Sequence, residues 1–255
     1  MALRTTIITG AGAGIGRALA DLLRSRGEQV VGIDLKDADC TADLSKEEER
    51  SRVVAHILAT QARIDAVVTC AGISPPATGD QIISVNYFGS VRLLEGLLPR
   101  LQEADAPRAV VISSVASLYT PGDELVNACL ADDEAGGRAI AANDASLAYR
   151  SSKRAMTQWV RRTAATPQWG GRGVLLNGIS PGMVLSRMGQ AALATPEGRE
   201  NIARNVPTAV RDYADPADIA PTLAFLASAD NRFMVGQVPF VDGGADVLLR
   251  GDQPL

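Results

Sequence analysis

Histidine occurs once in these 255 residues, cysteine three times, and aromatic residues make up only 4% of the chain. Each scarcity excludes something. With His56 alone, a Ser-His-Asp triad has a single imidazole to use and a multi-histidine metal site has too few ligands. His56 falls in a helical stretch over residues 45–61 and reads as a helix-face residue. Cys40, Cys70 and Cys129 are widely spaced with no CxxC, so neither a disulfide framework nor a zinc site is expected. They read as free thiols, Trp159 and Trp169 read as packing residues, and no metal is expected. No apolar run approaches the roughly 20 residues of a membrane span. The N-terminus enters a strand with neither a signal-peptide apolar region nor a cleavage site, so a cytoplasmic protein without a membrane partner is expected. Lys and Arg number 25 against 29 Asp and Glu, for a net charge of −4, and they are dispersed. That balance offers no polyanion-binding surface and argues against nucleic acid as a partner.

What is present suits an ordinary enzyme core. With 46% hydrophobic and 21% charged residues, the chain can bury a substantial interior, and residues 1–255 are expected to form one domain. Strand-like segments at 5–9, 29–33, 40–44, 65–69, 109–113, 174–179 and 237–241 alternate with helical patterns at 45–61, 81–101, 147–166 and 216–227. That alternation predicts an α/β fold, a doubly wound parallel sheet with helices on both faces. Only residues 35–39 separate the second strand from the third, too few for a crossover helix, so an abbreviated loop is expected there.

The first βα unit carries a chemical signal. The β-branched run Thr5-Thr6-Ile7-Ile8-Thr9 leads into Gly10-Ala11-Gly12-Ala13-Gly14-Ile15-Gly16 and then the helical pattern Ala18, Leu19, Leu22, Leu23, which Gly27 stops. Glycines serve where the backbone turns tightly and approaches a pyrophosphate, and the following helix N-terminus offers free N–H groups to the phosphates. The next strand ends in Asp34, about 20 residues on, where an acid can accept a hydrogen bond from a ribose 2′-hydroxyl. A lone glycine turn is often only a turn. Strand, turn, helix, strand and acid in this order read as a dinucleotide site.

Tyr149 and Lys153 stand four residues apart in a helical stretch, on one face. A cation near a phenol stabilises the phenolate and eases proton exchange. Taken alone, the same spacing also describes a surface pair with a solvated lysine.

The segments Thr9 to Gly16, Cys70-Ala71-Gly72, Asn86-Tyr87-Phe88-Gly89, Ile112-Ser113-Ser114, Tyr149-Arg150-Ser151-Ser152-Lys153, Pro181-Gly182 and Val241-Asp242-Gly243-Gly244 occur in the order seen in short-chain dehydrogenase/reductases. The resemblance spans nearly the whole chain. Within that family the abbreviated crossover, Val85-Asn86-Tyr87-Phe88-Gly89 and the long segment before Tyr149 resemble the bacterial 3-alpha-hydroxysteroid dehydrogenase/carbonyl reductases. Coniferyl-alcohol dehydrogenases are similar in the same features.

The resemblance implies a Rossmann fold and catalytic roles for Asn86, Ser114, Tyr149 and Lys153. Tyr149 would exchange the alcohol proton, Ser114 would hold the substrate oxygen, Lys153 would depress the Tyr149 pKa and bond the nicotinamide ribose, and Asn86 would order a water linking Lys153 to solvent. The plainer readings are a turn or N-cap hydroxyl for Ser114 and a helix-interior contact for Asn86. It also implies cofactor-binding roles for Gly10, Gly14, Ile15, Gly16, Asp34, Leu35, Asp43, Leu44, Ala71, Gly72, Pro181, Gly182, Val184 and Ser186, alongside Tyr149 and Lys153. Asp43 and Leu44 would line the adenine pocket and Ser186 would meet the nicotinamide carboxamide. A carboxylate at Asp34 repels a 2′-phosphate and Ala13 offers no compensating charge, so NAD is the expected cofactor, with Lys36 leaving weak tolerance of NADP.

Three departures stand out. Thr69 and Cys70 replace the two asparagines of the family's Asn-Asn-Ala-Gly pattern, which predicts altered support between the central strands. The interval between Tyr119 and Ala145 is unusually long and reads as an inserted acidic amphipathic helix, or else a solvated decoration. Placed just before the Tyr149 helix, it would either block the usual subunit contact or fold over the site entrance, leaving a homodimer built on another face; deleting residues 125–137 would then change oligomeric state or substrate range. Residues 185–210, with Met188, Leu193, Ile202 and Val206, read either as an apolar lid or as helix core.

Two functions are compatible with these features. One is an NAD-dependent oxidoreductase that interconverts a secondary or primary allylic alcohol and a carbonyl on a bulky, apolar, ring-containing substrate such as a 3-alpha-hydroxysteroid or a coniferyl-type alcohol. The other is a nucleotide-sensing protein on the same fold. Asn86, Ser114, Tyr149 and Lys153 together favour the enzyme, because a sensor needs no proton relay.

Overall fold

The computed structural model describes residues 3–210 and 212–253. Seven strands form one parallel sheet in the order β3-β2-β1-β4-β5-β6-β7. They are β1 (Thr5–Thr9), β2 (Gln29–Asp34), β3 (Cys40–Thr41), β4 (Ala66–Thr69), β5 (Arg108–Ile112), β6 (Leu175–Pro181) and β7 (Phe240–Val241). The central strands β1 and β4 are buried along their whole length, as their continuous β-branched and apolar sequence requires of strands covered on both faces. The link from β2 to β3 is the short loop expected from its length, with Ile33 paired to Cys40 and Asp34 to Thr41. Order reverses between β1 and β4, so the carboxyl ends of the strands open a crevice at that point, the usual place for a ligand in an open α/β sheet.

One face of the sheet is covered by α1 (Gly14–Ser25) and the later α10 (Pro216–Ala227), which pack on each other. The other face carries α2 (Glu47–Thr60), α4 (Ser90–Leu101) and α7 (Ala145–Thr163). Gly27, at φ +83°, ends α1 as read from the sequence. Asp144 caps α7 by accepting a hydrogen bond from Leu147 N at 2.8 Å, worth about 1 kcal/mol. Trp159 and Trp169 are buried edge to face with ring centroids 5.6 Å apart, so both are packing residues. All three cysteines are free, and among the described residues no His, Cys, Asp and Glu group could hold a metal. None of the described helices is long and apolar enough to cross a membrane.

Three sequence-based expectations need correction. The helix read as continuous over 81–101 is α3 (Gly79–Ile83), a π turn at Ser84–Gly89 and then α4. Asn86 explains the widening, because its amide bonds both the N–H and the carbonyl of Ile73 instead of pointing away. The insertion is two helices, α5 (Asp123–Leu130) and α6 (Glu134–Ala141). The break falls where Asp132 takes φ 64° and Asp133 caps α6 through Gly136 N. Nor is the insertion a decoration. Leu125, Val126, Cys129 and Ala141 are buried in the main core. Arg50 on α2 forms a two-pronged ion pair with Glu134 at 3.0 and 2.6 Å; Arg92 pairs with Asp132 and Arg138 with Asp80. The insertion therefore lies against α3, the π turn and α7, on the flank of the Tyr149 helix, and removing residues 125–137 would open the core as well as uncover a surface.

The remaining short helices are α8 (Arg187–Ala192), α9 (Pro196–Asn205) and α11 (Ala245–Arg250). No residue of α9 is buried, and Met188, Leu193, Ile202 and Val206 are all partly or fully exposed. The helix-core reading of residues 185–210 therefore fails. They form a superficial flap.

Candidate active site

Residues from the carboxyl ends of five strands converge on the crevice. After β1, the glycine turn is folded so tightly that side chains are excluded. Gly10 has φ +69° and a Cβ there would lie 2.8 Å from Ala71 N; a Cβ at Gly16 would lie 2.3 Å from the Gly10 carbonyl oxygen. Asp34, at the end of β2, accepts from Gly12 N at 2.9 Å and from Leu35 N at 2.7 Å. Its carboxylate thus closes the rim of the glycine turn, with exposed Leu35 beside it. After β4, Ala71 N donates to the Thr9 hydroxyl at 3.0 Å, which lays Ala71 and Gly72 along the floor. Pro181 ends β6, and Gly182 leads on to Val184, which bridges to Ala214, and to Ser186, whose Cβ is 3.4 Å from where a Gly14 Cβ would stand. Ser186 therefore faces the phosphate turn across the crevice, while Ile15 opens α1 just below.

This geometry suits a dinucleotide. Glycines hold space beside free N–H groups at the start of α1, and a carboxylate sits at the far rim. Asp43 and Leu44 lie beyond β3. Asp43 accepts from the Ser45 N–H and hydroxyl and faces Lys46, which together hold its carboxyl below the usual range despite partial burial that opposes this. Leu44 is buried in the core, and its carbonyl accepts from Arg50 Nη1 at 3.4 Å.

At the other end of the crevice stand the polar groups of α7, β5 and the π turn. Tyr149 and Lys153 share a face of α7, as their spacing requires. Ser114, just after β5, caps a short 3-10 turn through Ala116 N at 3.1 Å, and its hydroxyl lies near enough to the Tyr149 phenol to draw that group's pKa down. The N-cap reading of Ser114 holds. Its neighbour Ser113, to which the sequence assigned no role, anchors α7 by donating to the Lys153 carbonyl at 2.9 Å and bonding Thr157 at 2.8 Å. Ser152 donates to the Tyr149 carbonyl and accepts from Asn86 Nδ2. Asn86 and Lys153 also meet at Gly72, where a Cβ would lie 3.4 Å from Asn86 Oδ1 and 3.8 Å from Lys153 Nζ.

Electrostatics here differ in one respect from the expectation. Lys153 Nζ donates to the Ile112 carbonyl at 3.0 Å and sits 5.7 Å above the Tyr149 ring centroid, not at the phenol oxygen. Burial raises the Tyr149 pKa, and Ser114 opposes that rise. Burial also pulls Lys153 down to about 8. The Ile112 carbonyl, invisible as a partner in any sequence pattern, accounts for the position of the ammonium. Cys70 lies near this lysine, with a thiol that burial pushes up to about 12, so it is an inert neighbour. Thr69 Oγ1 is buried without a hydrogen-bond partner, consistent with the altered strand support read from the missing asparagines. His56 is exposed on α2, away from all these groups.

Comparison with known proteins agrees with this arrangement. Residues 4–124 match the family described as short chain dehydrogenase. Residues 134–246 match the one described as Enoyl-(Acyl carrier protein) reductase. The chain is 40% identical over 255 residues to a 3-alpha-hydroxysteroid dehydrogenase/carbonyl reductase of Comamonas testosteroni, covering 97% of this chain and 98% of that one. It is 30% identical over 258 residues to a D-threitol dehydrogenase of Mycolicibacterium smegmatis, with 94% and 92% covered. Among solved structures, the 3-alpha-hydroxysteroid dehydrogenase of Pseudomonas sp. B-0831 complexed with NADH superposes with a TM-score of 0.92 at 38% identity, over 98% of this chain and 100% of that one. The chain belongs to the short-chain dehydrogenase/reductase family, whose members bind a nicotinamide cofactor, and it is an oxidoreductase acting on CH–OH groups.

Proposed function

We propose that this protein is an NAD-dependent oxidoreductase interconverting a secondary alcohol and a ketone on a bulky, apolar, ring-containing substrate of the 3-alpha-hydroxysteroid type. One observation carries the reading. Tyr149 lies beside Lys153, whose ammonium is 5.7 Å from its ring centroid, with Ser114 acting on its phenol, at the end of a glycine-walled crevice whose other rim holds Asp34. The substrate class rests on the relative from Comamonas testosteroni and on the partly exposed apolar residues of the 185–210 flap.

A bound nicotinamide would supply the hydride chemistry, accepting hydride from the carbinol carbon in oxidation and giving it to the carbonyl carbon in reduction. The chain's own groups handle the proton and the placement. In reduction Tyr149 donates its phenolic proton to the oxygen that becomes the alcohol, and in oxidation the phenolate takes it back. Because burial raises the Tyr149 pKa, the phenol is the resting form at neutral pH and reduction starts with its acid loaded. Ser114 holds the substrate oxygen within reach of that phenol. Lys153, with its ammonium fixed by Ile112, would bond the ribose of a bound cofactor and would supply positive charge on the side of the Tyr149 ring as the phenolate forms. Asn86, locked to Ile73 and Ser152, shapes the floor between Lys153 and Gly72. The glycine turn, Ala71 and Gly72, the Asp34-Leu35 and Asp43-Leu44 pairs, and Pro181 to Ser186 would hold the cofactor.

Turnover assayed with hydroxysteroids, aromatic alcohols and alicyclic ketones tests the proposal. Activity on the first and third groups supports it, and cofactor binding without turnover of any member would favour a sensor. Asp34→Ala should weaken NAD by about tenfold or more while changing NADP much less, since the lost acceptor served the 2′-hydroxyl and the lost charge repelled the 2′-phosphate. Equal weakening of both, measured by titration, would show that Asp34 does not read the ribose.

We also propose a homodimer. The α5–α6 insertion covers the flank of α7, so a two-fold contact must use another face. Phe225 on α10 and Phe233 on the following loop are exposed large apolar residues suited to it. Light scattering should give the mass of two chains; a monomer would refute this.

A further inference from the structure

The flap formed by α8 and α9 is tethered at both ends by backbone hydrogen bonds. At its start Leu185 N donates to the Ala214 carbonyl at 2.8 Å, and at its end Ala209 N donates to the Gly243 carbonyl at 2.8 Å. Between these points, α8 and α9 bond almost entirely to themselves. Ser186 and Thr195 cap them, Arg199 reaches the Leu193 carbonyl, and Asn205 bonds Asn201. Arg187, Glu197, Arg199, Glu200 and Arg204 form no ion pair with any described residue. Among the described residues, one hydrogen bond joins the two helices to the body of the protein: the Tyr119 hydroxyl donates to the Asn205 carbonyl.

The fixed end of that bond is unusually well mounted. Arg150 Nε donates to the Thr120 carbonyl at 2.7 Å, and Gly122 N donates to the Ser151 hydroxyl at 2.9 Å. Both partners come from α7 and directly follow Tyr149. Tyr119 thus stands on a segment clamped to the helix that carries the proton-transfer phenol, and it reaches across to a carbonyl in the last turn of α9, one that the helix itself leaves without a partner. Partial burial raises the Tyr119 pKa and keeps the hydroxyl a donor.

We propose that Tyr119 is the latch of this flap, a positioning residue whose hydroxyl holds α9 closed against the catalytic helix and so sets how tightly a bulky substrate is enclosed. The proposal rests on the functional reading above for the substrate that the flap encloses, but not for the latch itself. Closure is then a two-state equilibrium in which the loss of one neutral hydrogen bond favours the open form by about fivefold.

The test compares the native chain with Tyr119→Phe, which keeps the ring and removes only the donor. Arg199 and Arg204 are exposed on the flap, and Arg161 and Arg162 are exposed on α7, so limited trypsin digestion followed by mass spectrometry reads flap opening and global unfolding separately. Cleavage at Arg199 and Arg204 should accelerate about fivefold, with Arg161 and Arg162 unaffected, because cleavage tracks the open population when reclosing is fast. The KM for an alicyclic or steroid ketone should rise about fivefold with kcat not reduced. An unchanged rate of flap cleavage, or equal acceleration at Arg161 and Arg162, overturns the latch. Faster flap cleavage with an unaltered KM overturns its role in enclosing substrate. If the native chain reduces no ketone, the functional reading fails while the digestion still decides the latch.

Discussion

Replacing Tyr149 by phenylalanine should lower turnover by roughly a thousandfold while leaving NAD affinity within about twofold of the native value. The substitution removes one hydroxyl and nothing else. Phe retains the ring over which Lys153 sits, so the ammonium keeps its bond to Ile112 and the crevice keeps its shape. Ser114 keeps its acceptor role at Ala116 N, so the loop after β5 stays in place. What disappears is the group proposed to exchange the proton, and a general acid or base contributes on the order of a hundred- to ten-thousandfold. Steady-state turnover and cofactor titration on the same preparation check this. Turnover close to native would mean that another group moves the proton.

The second large effect concerns the insertion. Glu134→Ala should destabilise the fold by about 3 kcal/mol, read as a fall of roughly 10 °C in Tm. Arg50 is almost wholly buried, and its two bonds to Glu134 at 3.0 and 2.6 Å are its strong ones; the contacts to the Leu44 and Ser84 carbonyls are long, at 3.4 Å. Removing the carboxylate leaves a guanidinium buried with too few acceptors. This cost belongs to an uncompensated charge, not to the net worth of the pair. A loss below about 0.5 kcal/mol by chemical or thermal denaturation would show that α6 is loosely attached. Because Arg50 also touches the turn of Leu44 and the π turn that carries Asn86, the same ion pair couples the insertion to both ends of the crevice.

How far the sequence revealed this molecule depended on the kind of pattern involved. The strands, the glycine turn and Asp34 were legible because burial on both faces and close backbone approach dictate residue type locally. Tyr149 and Lys153 were legible because helical spacing places them on one face. The π turn was not, since Asn86 bonds to Ile73, an unremarkable apolar residue that offers its backbone. The Ile112 carbonyl that holds Lys153 is likewise silent in sequence. The insertion was recognised by its length and acidity, but its break depended on Asp132 adopting a left-handed conformation, and its burial depended on partners up to 84 positions away, such as Arg50. Tyr119 carried no signal at all, because its partner is a main-chain oxygen on a distant helix.

The claim that this crevice moves hydride between an alcohol and NAD is tested most directly by following the hydride itself. Purified protein is incubated with NAD and a ring alcohol, steroid or alicyclic, that bears deuterium on its carbinol carbon, and the nicotinamide is then analysed by mass spectrometry. The reduced cofactor should carry one deuterium from the alcohol, in native protein and not in Tyr149→Phe. Reduced cofactor without deuterium, or bound NAD that stays oxidised with every alcohol supplied, would contradict it.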